Sequence, residues 1–209
     1  MIKTAYCNVE DLKLEKGQPL VSPDRKEKIS RYRFQKDKQL SCGAYLLLIR
    51  LLEREGITDP IFNIGKYGKA YISNYTDTYF NVSHSDKYVA CAISDKDVGI
   101  DIEHNDQHID LNIAKNYFFN KEYENIMSSP NPSNEFFNYW VLKESYMKYT
   151  GLGFHLKLDS FSIDLSDEIT VNRDKTLKFS LFDIEDYKLA VAGKYTVKSC
   201  EKIHVNELY

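Results

Sequence analysis

The chain has 209 residues, of which 43% are hydrophobic and 28% are charged, and its formal net charge is −3. A chain of this length buries roughly 70% of the surface that it exposes when unfolded, so it needs no metal or disulfide in order to fold. The near-neutral charge argues against a nucleic-acid-binding protein, which is usually basic. Aromatic residues make up 13% of the chain, against only nine glycines and five prolines, which excludes a low-complexity or collagen-like protein.

The four cysteines, at positions 7, 42, 91 and 200, are far apart and form no C-x-x-C pair. This spacing favours buried free thiols over a metal site or a disulfide framework. Charged residues interrupt the start of the chain before any stretch long enough for a signal peptide. The most apolar stretch, residues 44–52, is too short to span a bilayer. We therefore expect a cytoplasmic protein that does not bind a membrane.

In chain order, the first predicted element is a strand over residues 2–6. A helix is then predicted from Ser22 and Pro23, because serine caps free amide groups and proline fits the first turn. The segment 24–38 contains seven basic and three acidic residues, so it is either a solvated helix face or a platform for an anion. Apolar periodicity predicts a long helix over residues 37–55.

The rest of the chain alternates between short strands and helices. Alternating polarity predicts strands over residues 70–72, 79–82, 88–93 and 98–102, the last two separated by a polar turn at 95–97. Helices are predicted over residues 111–119, from residue 120, and over 133–149, and further strands between residues 161 and 205.

The two halves of the chain resemble each other. In residues 80–92 and in residues 179–191, two aromatic residues eight positions apart lead into a strand of small residues. The sequence at 34–37 is likewise echoed at 119–122. These repeats predict a duplicated α+β unit, and the polar segment 104–110 marks the expected boundary between the halves.

Asp101 and Glu103 lie two positions apart on a predicted strand, so their side chains share one face of it. Two neighbouring carboxylates can hold one hard cation such as Mg²⁺. The more common explanation for such a pair is the polar outer face of a half-exposed strand, and the pair alone does not decide between the two.

Glu144 and Lys148 lie four positions apart on the predicted helix 133–149, so they project from one face of it. They form either a surface ion pair or part of a cleft. This helix is rich in aromatic residues, which leaves little of its surface for solvent and is compatible with a cleft.

Ser83, His84 and Ser85 follow a predicted strand. His84 could contact a phosphate, act as an acid or base, or be structural. The chain lacks the G-x-x-x-x-G-K-[ST], G-x-G-x-x-G and G-x-S-x-G motifs, which removes the commonest nucleotide-binding and hydrolase interpretations.

Four segments in this order form a far more specific pattern than any one of them: Tyr-Gly-Lys at 67–69, Ser-His-Ser at 83–85, Gly-Ile-Asp-Ile-Glu at 99–103, and Trp-Val-Leu-Lys-Glu-Ser-Tyr-Met-Lys at 140–148. The pattern resembles the 4′-phosphopantetheinyl transferases of the Sfp type, over nearly the whole chain. The resemblance implies an α+β fold of two duplicated halves, each a small antiparallel sheet packed with a long helix. It also implies transfer of phosphopantetheine from coenzyme A to a serine of an acyl or peptidyl carrier protein, with release of 3′,5′-ADP.

Carried over residue by residue, the resemblance makes Asp101, Glu103 and Glu144 the ligands of Mg²⁺, with Mn²⁺ as an alternative, against the pyrophosphate. Such a cation offsets the negative charge that develops in phosphoryl transfer. Lys148 would neutralise the phosphate or help to move the serine proton. Glu144, Lys148 and a metal-bound water all remain open as the base.

The resemblance also assigns the contacts to coenzyme A. Ser83 and His84 match positions that contact its phosphates, Lys69 matches the basic residue of a Gly-Lys-Pro element, and Arg25 and Lys28 match contacts to the 3′-phosphate. The implied halves are residues 1–104, on the nucleotide side and carrying the first two metal carboxylates, and residues 105–209, with the active site between them.

Two positions depart from the family pattern. Ala70 stands in place of the proline that follows Gly-Lys, and Lys38 stands where an arginine is frequent; an ammonium lacks the bidentate phosphate grip of a guanidinium. The resemblance favours a monomer that acts on nonribosomal-peptide, polyketide or fatty-acid carriers. The alternatives are a metal-dependent hydrolase of coenzyme A or nucleotide pyrophosphates and an inactive carrier-binding module.

Overall fold

The computed structural model describes residues 1–209, except for the side chain of Phe154. The helices are α1 (Leu14–Gly17), α2 (Pro23–Ser30), α3 (Gln35–Arg54), α4 (Asn112–Tyr117), α5 (Asn120–Ser128) and α6 (Pro132–Thr150). The strands are β1 (Ile2–Asn8), β2 (Phe62–Ile64), β3 (Ala70–Ile72), β4 (Tyr79–Ser85), β5 (Tyr88–Ser94), β6 (Val98–His104), β7 (Ile163–Asp164), β8 (Thr170–Val171), β9 (Lys178–Ile184), β10 (Tyr187–Gly193) and β11 (Glu201–Lys202).

Three strands of the first sheet have the same topology as the three strands of the second. The first has the order β11-β1-β5-β4 and the second the order β6-β10-β9. Apart from the parallel pair β1–β11, neighbouring strands are antiparallel. In each sheet, the strand before a long helix pairs with the second strand of the hairpin after that helix. The predicted α+β fold of two duplicated halves is therefore confirmed.

The long helices cover the outer faces of the two sheets. Helix α3 packs on the first sheet and α6 on the second, each around its own apolar core. A third core lies between the sheets and includes Tyr88 and Tyr187, whose rings meet at 4.8 Å between centroids. The layers are therefore helix, sheet, sheet and helix. Within the described residues, no helix is both long and apolar enough to cross a membrane.

Strand β6 joins the second sheet, because it hydrogen-bonds to β10 and not to the neighbouring β5. The boundary after residue 104 remains a proposal. It places β6 in the N-terminal half by sequence order, although β6 pairs with a strand of the second sheet. The echo between residues 34–37 and 119–122 also differs from the structural repeat. Phe34 precedes α3 and Phe119 precedes α5, whereas α6 is the counterpart of α3. Both segments are helix starts, and this explains their similarity.

The edge strand β4 of the first sheet lies beside the edge strand β6 of the second. Side chains of β4 bond to β6 where backbone pairing is absent. The Oδ1 atom of Asn81 accepts a hydrogen bond from the amide of Ile100 at 2.9 Å, and Ser83 and Ser85 donate to carboxylates of β6. We call this line of contact the β4–β6 seam.

Candidate active site

A pocket of about 540 Å³ lies at the β4–β6 seam. Its charged lining residues come from both halves: Arg25, Lys28, Asp101, Glu103, Glu144 and Lys148. A volume of this size is typical of a small-molecule site. Cations of α2 form one part of the lining, and carboxylates of β6 and α6 form another. The pocket therefore has a region of positive charge and a region of negative charge.

Asp101 lies deepest in the pocket and is 1% exposed. Its Oδ1 atom accepts hydrogen bonds from Ser83 Oγ at 2.8 Å and from Lys148 Nζ at 2.6 Å. Its Oδ2 atom is buried and has no hydrogen-bond partner among the described residues. An unpaired buried carboxylate oxygen costs free energy, and such an atom is suited to a ligand that the protein binds.

Gly99 explains how β6 approaches α6 so closely. A Cβ atom at this position would lie 2.0 Å from the carbonyl oxygen of Ser145 and 2.4 Å from the amide nitrogen of Tyr149. Only glycine fits there without a shift of the backbone. The close approach brings Asp101 within reach of Lys148.

Glu103 and Glu144 are half-buried beside Asp101. Burial and the charge of Asp101 raise the pKa of Glu103 to about 7. Burial and the charge of Asp101 also raise the pKa of Glu144, whereas the charge of Lys148 lowers it. The charge of Asp101 thus disfavours ionisation of both glutamates, as expected for groups that share a site.

The site fits a hard divalent cation by its chemistry. Within the described residues, no three Asp, Glu, His or Cys side chains already surround one point as ligands, and the Lys148 ammonium contacts one oxygen of Asp101. The donor set nevertheless consists of carboxylate oxygens, which Mg²⁺ prefers, and it includes the unpaired Oδ2 of Asp101.

The Ser-His-Ser segment lies beside the carboxylates of the pocket. Ser83 is buried and bonds to both Asp101 and Lys148. Ser85 donates to Glu103 at 2.7 Å, a contact that the sequence prediction missed although Ser85 shares a strand face with Ser83. His84 lies exposed at the pocket, and desolvation and the charge of Lys148 lower its pKa. Its neutral form is therefore favoured.

Arg25 and Lys28 provide the cationic part of the pocket. The guanidinium of Arg25 lies 5.3 Å from the centroid of the Tyr45 ring and donates to Ser41 Oγ at 3.5 Å. Desolvation and the charge of Arg25 lower the pKa of Lys28. Two neighbouring cations that oppose each other's charge form a site where an anion is stabilising.

The structure does not bring the ammonium of Lys69 into this pocket, although Gly68 and Ala70 line it. Lys69 Nζ donates to the carbonyl oxygens of Val98 and Tyr149, both at 3.1 Å. It also lies 3.6 Å from a carboxylate oxygen of Asp97. Of the predicted coenzyme-A contacts, Arg25, Lys28, Ser83 and His84 meet in the pocket and Lys69 does not.

The other lysine of the 140–148 motif has a structural role. Lys143 is fully buried and bonds to Glu122 at 2.9 Å and to the carbonyl oxygens of Leu158 and Phe161. Glu122 in turn accepts from the amide of Ile163 at 2.7 Å. The pair therefore ties α5 and the segment after α6 to the helix that carries Glu144 and Lys148.

Substitution of this buried pair is expected to cost stability. Lys143→Met should lower the free energy of unfolding by about 3–5 kcal/mol, because it leaves Glu122 buried without its cation. Urea unfolding measures the change. The double variant Lys143→Met/Glu122→Gln, which removes both charges, should recover part of the loss. A single variant within about 1 kcal/mol of wild type would contradict a tightly held pair.

Comparisons with known proteins identify the family of the chain. Residues 97–192 match the family model of the 4′-phosphopantetheinyl transferase superfamily. The chain is 31% identical over 188 residues to the 4′-phosphopantetheinyl transferase Sfp of Bacillus subtilis (strain 168), which covers 88% of this chain and 84% of that protein. It is 33% identical over 204 residues to the 4′-phosphopantetheinyl transferase gsp of Aneurinibacillus migulanus, covering 90% of this chain and 84% of that protein.

Among solved structures, the holo-[acyl-carrier-protein] synthase of Thermotoga maritima aligns with a TM-score of 0.40 and 16% identity, over 46% of this chain and 60% of that chain. The relatives of known sequence, by contrast, extend over most of this chain and most of their own length. The match of the family model includes the segment that carries the carboxylates and Lys148 of the pocket. The chain belongs to the 4′-phosphopantetheinyl transferase superfamily and is of the Sfp type.

Proposed function

We propose that the pocket at the β4–β6 seam is where this transferase moves the phosphopantetheine arm of coenzyme A to a serine of an apo acyl or peptidyl carrier protein. The observation that carries the assignment is Asp101, which is buried, has one unpaired oxygen and lies 2.6 Å from the ammonium of Lys148. A buried carboxylate and a lysine at one end and two cations at the other suit a ligand with separated phosphate groups.

In this reaction the serine Oγ forms a bond to the phosphorus that bears the pantetheine arm. The bond from that phosphorus to the bridging oxygen of the pyrophosphate breaks, and 3′,5′-ADP leaves with that oxygen. Asp101, Glu103 and Glu144 would hold a divalent cation, Mg²⁺ or Mn²⁺, which when bound supplies positive charge to the phosphate oxygens.

Lys148 already donates hydrogen bonds to Asp101 and Ser83, so we assign it the role of a cation that stabilises phosphate charge. The proton of the serine needs an acceptor, and we assign this role to Glu144, which lies one helical turn from Lys148 in the pocket. Its raised pKa makes Glu144 a better proton acceptor than an ordinary carboxylate.

Ser83, the Arg25–Lys28 pair and His84 complete the proposal. Ser83 positions Asp101 and Lys148, Arg25 and Lys28 bind the 3′-phosphate, and neutral His84 is free to donate to a phosphate. We propose that the protein acts as a monomer, since charged residues from both halves of the chain meet in this pocket. Its four free cysteines suit the reducing conditions of the cytoplasm.

The experiment that tests the function combines the protein with coenzyme A, Mg²⁺ and an apo carrier protein, and the carrier is then weighed by mass spectrometry. We expect a gain in mass of one phosphopantetheine group, lost on chelation of the metal and restored by added Mg²⁺. Cleavage of coenzyme A without a gain in carrier mass would instead indicate a hydrolase. No change in either substrate would indicate a binding module.

The assignment of the cationic end predicts a selective effect on coenzyme A. Arg25→Met should raise the KM for coenzyme A by about 10-fold, because the variant loses a charge-assisted contact to the 3′-phosphate. The KM for 3′-dephospho-coenzyme A should change little, since that substrate lacks the phosphate. Steady-state kinetics with both substrates measures the difference. An equal rise in both KM values would remove Arg25 from the 3′-phosphate site.

A further inference from the structure

We propose that Lys69 is a positioning residue, which holds the β2–β3 hairpin against α6 and β6, and that it is not a ligand of the phosphates of coenzyme A. The inference rests on the proposed function, since it concerns the same pocket. It replaces the phosphate contact that the sequence resemblance implies for this lysine with a role in shaping the site.

Two of the three donors of Lys69 are already used. An ammonium group has three hydrogens to donate. Two carbonyl oxygens, of Val98 and Tyr149, accept at 3.1 Å, and the carboxylate of Asp97 forms an ion pair with the same nitrogen at 3.6 Å. The side chain is only 20% exposed. A phosphate at the third hydrogen would have to compete with the negative charge of Asp97.

The two carbonyl groups that accept from Lys69 lie on α6 and β6. Tyr149 directly follows Lys148 in the last turn of α6, and Val98 begins β6, three residues before Asp101. A cation at the carboxyl end of a helix is stabilising, because the last carbonyl groups point towards it. One ammonium therefore contacts both elements that carry the carboxylates and Lys148 of the pocket.

The β2–β3 hairpin needs a contact that holds it against the rest of the protein. Strands β2 and β3 form a two-stranded sheet of their own, and an isolated hairpin is only marginally stable. Residues of this hairpin and its turn line the pocket: Phe62, Ile64, Gly68 and Ala70. If the hairpin moved, one wall of the nucleotide pocket would move with it.

Two further contacts join the hairpin turn to the segment after α6. The rings of Tyr67 and His155 lie 5.0 Å apart. Gly151, the residue that ends α6 with a φ of +70°, leaves room for the stem of Lys69, since a Cβ atom there would lie 3.2 Å from its Cδ. The two neighbours of Gly68, Tyr67 and Lys69, therefore both pack against the end of α6 or the segment that follows it.

Lys69→Met, which keeps the length of the stem and removes the ammonium, tests the inference. Titration calorimetry would measure four probes that carry different phosphates: coenzyme A, 3′-dephospho-coenzyme A, 3′,5′-ADP and 3′-AMP. A positioning role predicts that all four dissociation constants rise by a common factor of about 10, because a displaced wall weakens binding of the shared nucleoside. At saturating coenzyme A, kcat should stay within about 3-fold of wild type.

Arg25→Met is the matched control, because loss of a phosphate ligand should weaken only the probes that carry the 3′-phosphate. If Lys69→Met weakened only the probes that carry one particular phosphate, the inference would be overturned. It would also be overturned if all four dissociation constants were unchanged. Asp97→Asn, which leaves the ammonium and both carbonyl contacts in place, should give a smaller rise in the same direction and covers the case in which Lys69→Met fails to fold. These are binding measurements, so a wild-type protein that binds coenzyme A but transfers nothing would refute the proposed function separately.

Discussion

Replacement of Asp101 by asparagine is expected to abolish transfer, with a fall in kcat/KM of at least about 10³-fold. The carboxylate of Asp101 has two tasks in the proposed site. Its Oδ1 holds Lys148 and Ser83, and its buried Oδ2 has no hydrogen-bond partner among the described residues. The amide of asparagine keeps the shape of the side chain but loses the charge for the cation and for Lys148. Carrier mass after timed reactions measures the effect.

The control for Asp101→Asn is Glu53→Gln, which removes one negative charge from α3 at a position that does not line the pocket. This variant should transfer at the wild-type rate. Circular dichroism of Asp101→Asn should show the wild-type fold, since Ser83 can still donate to the remaining carbonyl oxygen. A folded Asp101→Asn protein with near-normal turnover would place the reaction elsewhere.

Replacement of Lys148 by alanine is expected to lower kcat by about 10²–10³-fold while the KM for coenzyme A changes less than about 3-fold. The ammonium lies against Asp101 and Ser83 at the seam, whereas Arg25 and Lys28 hold the distant end of the nucleotide in this proposal. In this proposal, Lys148 acts where charge develops and contributes little to ground-state binding.

Lys148→Arg is the matched variant for this prediction. It keeps the positive charge but replaces a compact ammonium with a planar guanidinium, so it should recover only part of the loss in kcat. Full steady-state kinetics of both variants separates the two constants. A rise in KM with unchanged kcat would make Lys148 a binding contact for coenzyme A.

The carboxylates and Lys148 were predictable from the sequence because local geometry determines their placement. A period of two puts Asp101 and Glu103 on one face of a strand, and a spacing of four puts Glu144 and Lys148 on one face of a helix. Both local patterns are present in the structure, and the pocket brings the two pairs together. Their association into one site depended on the family resemblance, since neither pair alone excludes a surface role.

The separate roles of the three lysines were not predictable in the same way. Lys69, Lys143 and Lys148 are alike in chemistry, and Lys143 and Lys148 belong to one motif. Tertiary packing decides between them: Lys143 is buried against Glu122, Lys69 meets backbone carbonyls, and Lys148 reaches the pocket. The local sequence does not indicate which acceptor each ammonium will contact, because the acceptors lie far away in the chain.

The pairing of β6 shows the same limit. A polar turn at residues 95–97 separates β5 from β6, a pattern typical of a hairpin. The structure instead pairs β6 with β10, far along the chain, and β5 with β1. The apolar face of β6 fits the core between the sheets while Gly99 and Asp101 face α6. The pairing of β6 depends on its packing against α6, and the local sequence pattern carries no information about that packing.

The net charge of −3 conceals the feature on which the proposed chemistry depends. Arg25 and Lys28 on one side and three carboxylates on the other line one pocket, and Lys148 lies beside the deepest carboxylate. An anionic substrate and a cation would each find the opposite charge there. In this proposal the cation binds to Asp101, Glu103 and Glu144.

Direct measurement of metal binding tests that claim. Mn²⁺ is titrated into the protein with coenzyme A present, and the loss of the free-ion electron paramagnetic resonance signal gives the bound fraction. We expect about one Mn²⁺ per chain in the wild type, displaced by Mg²⁺, and binding at least about 10-fold weaker in each of Asp101→Asn, Glu103→Gln and Glu144→Gln. Wild-type affinity and stoichiometry in all three variants would rule out these carboxylates as the ligands.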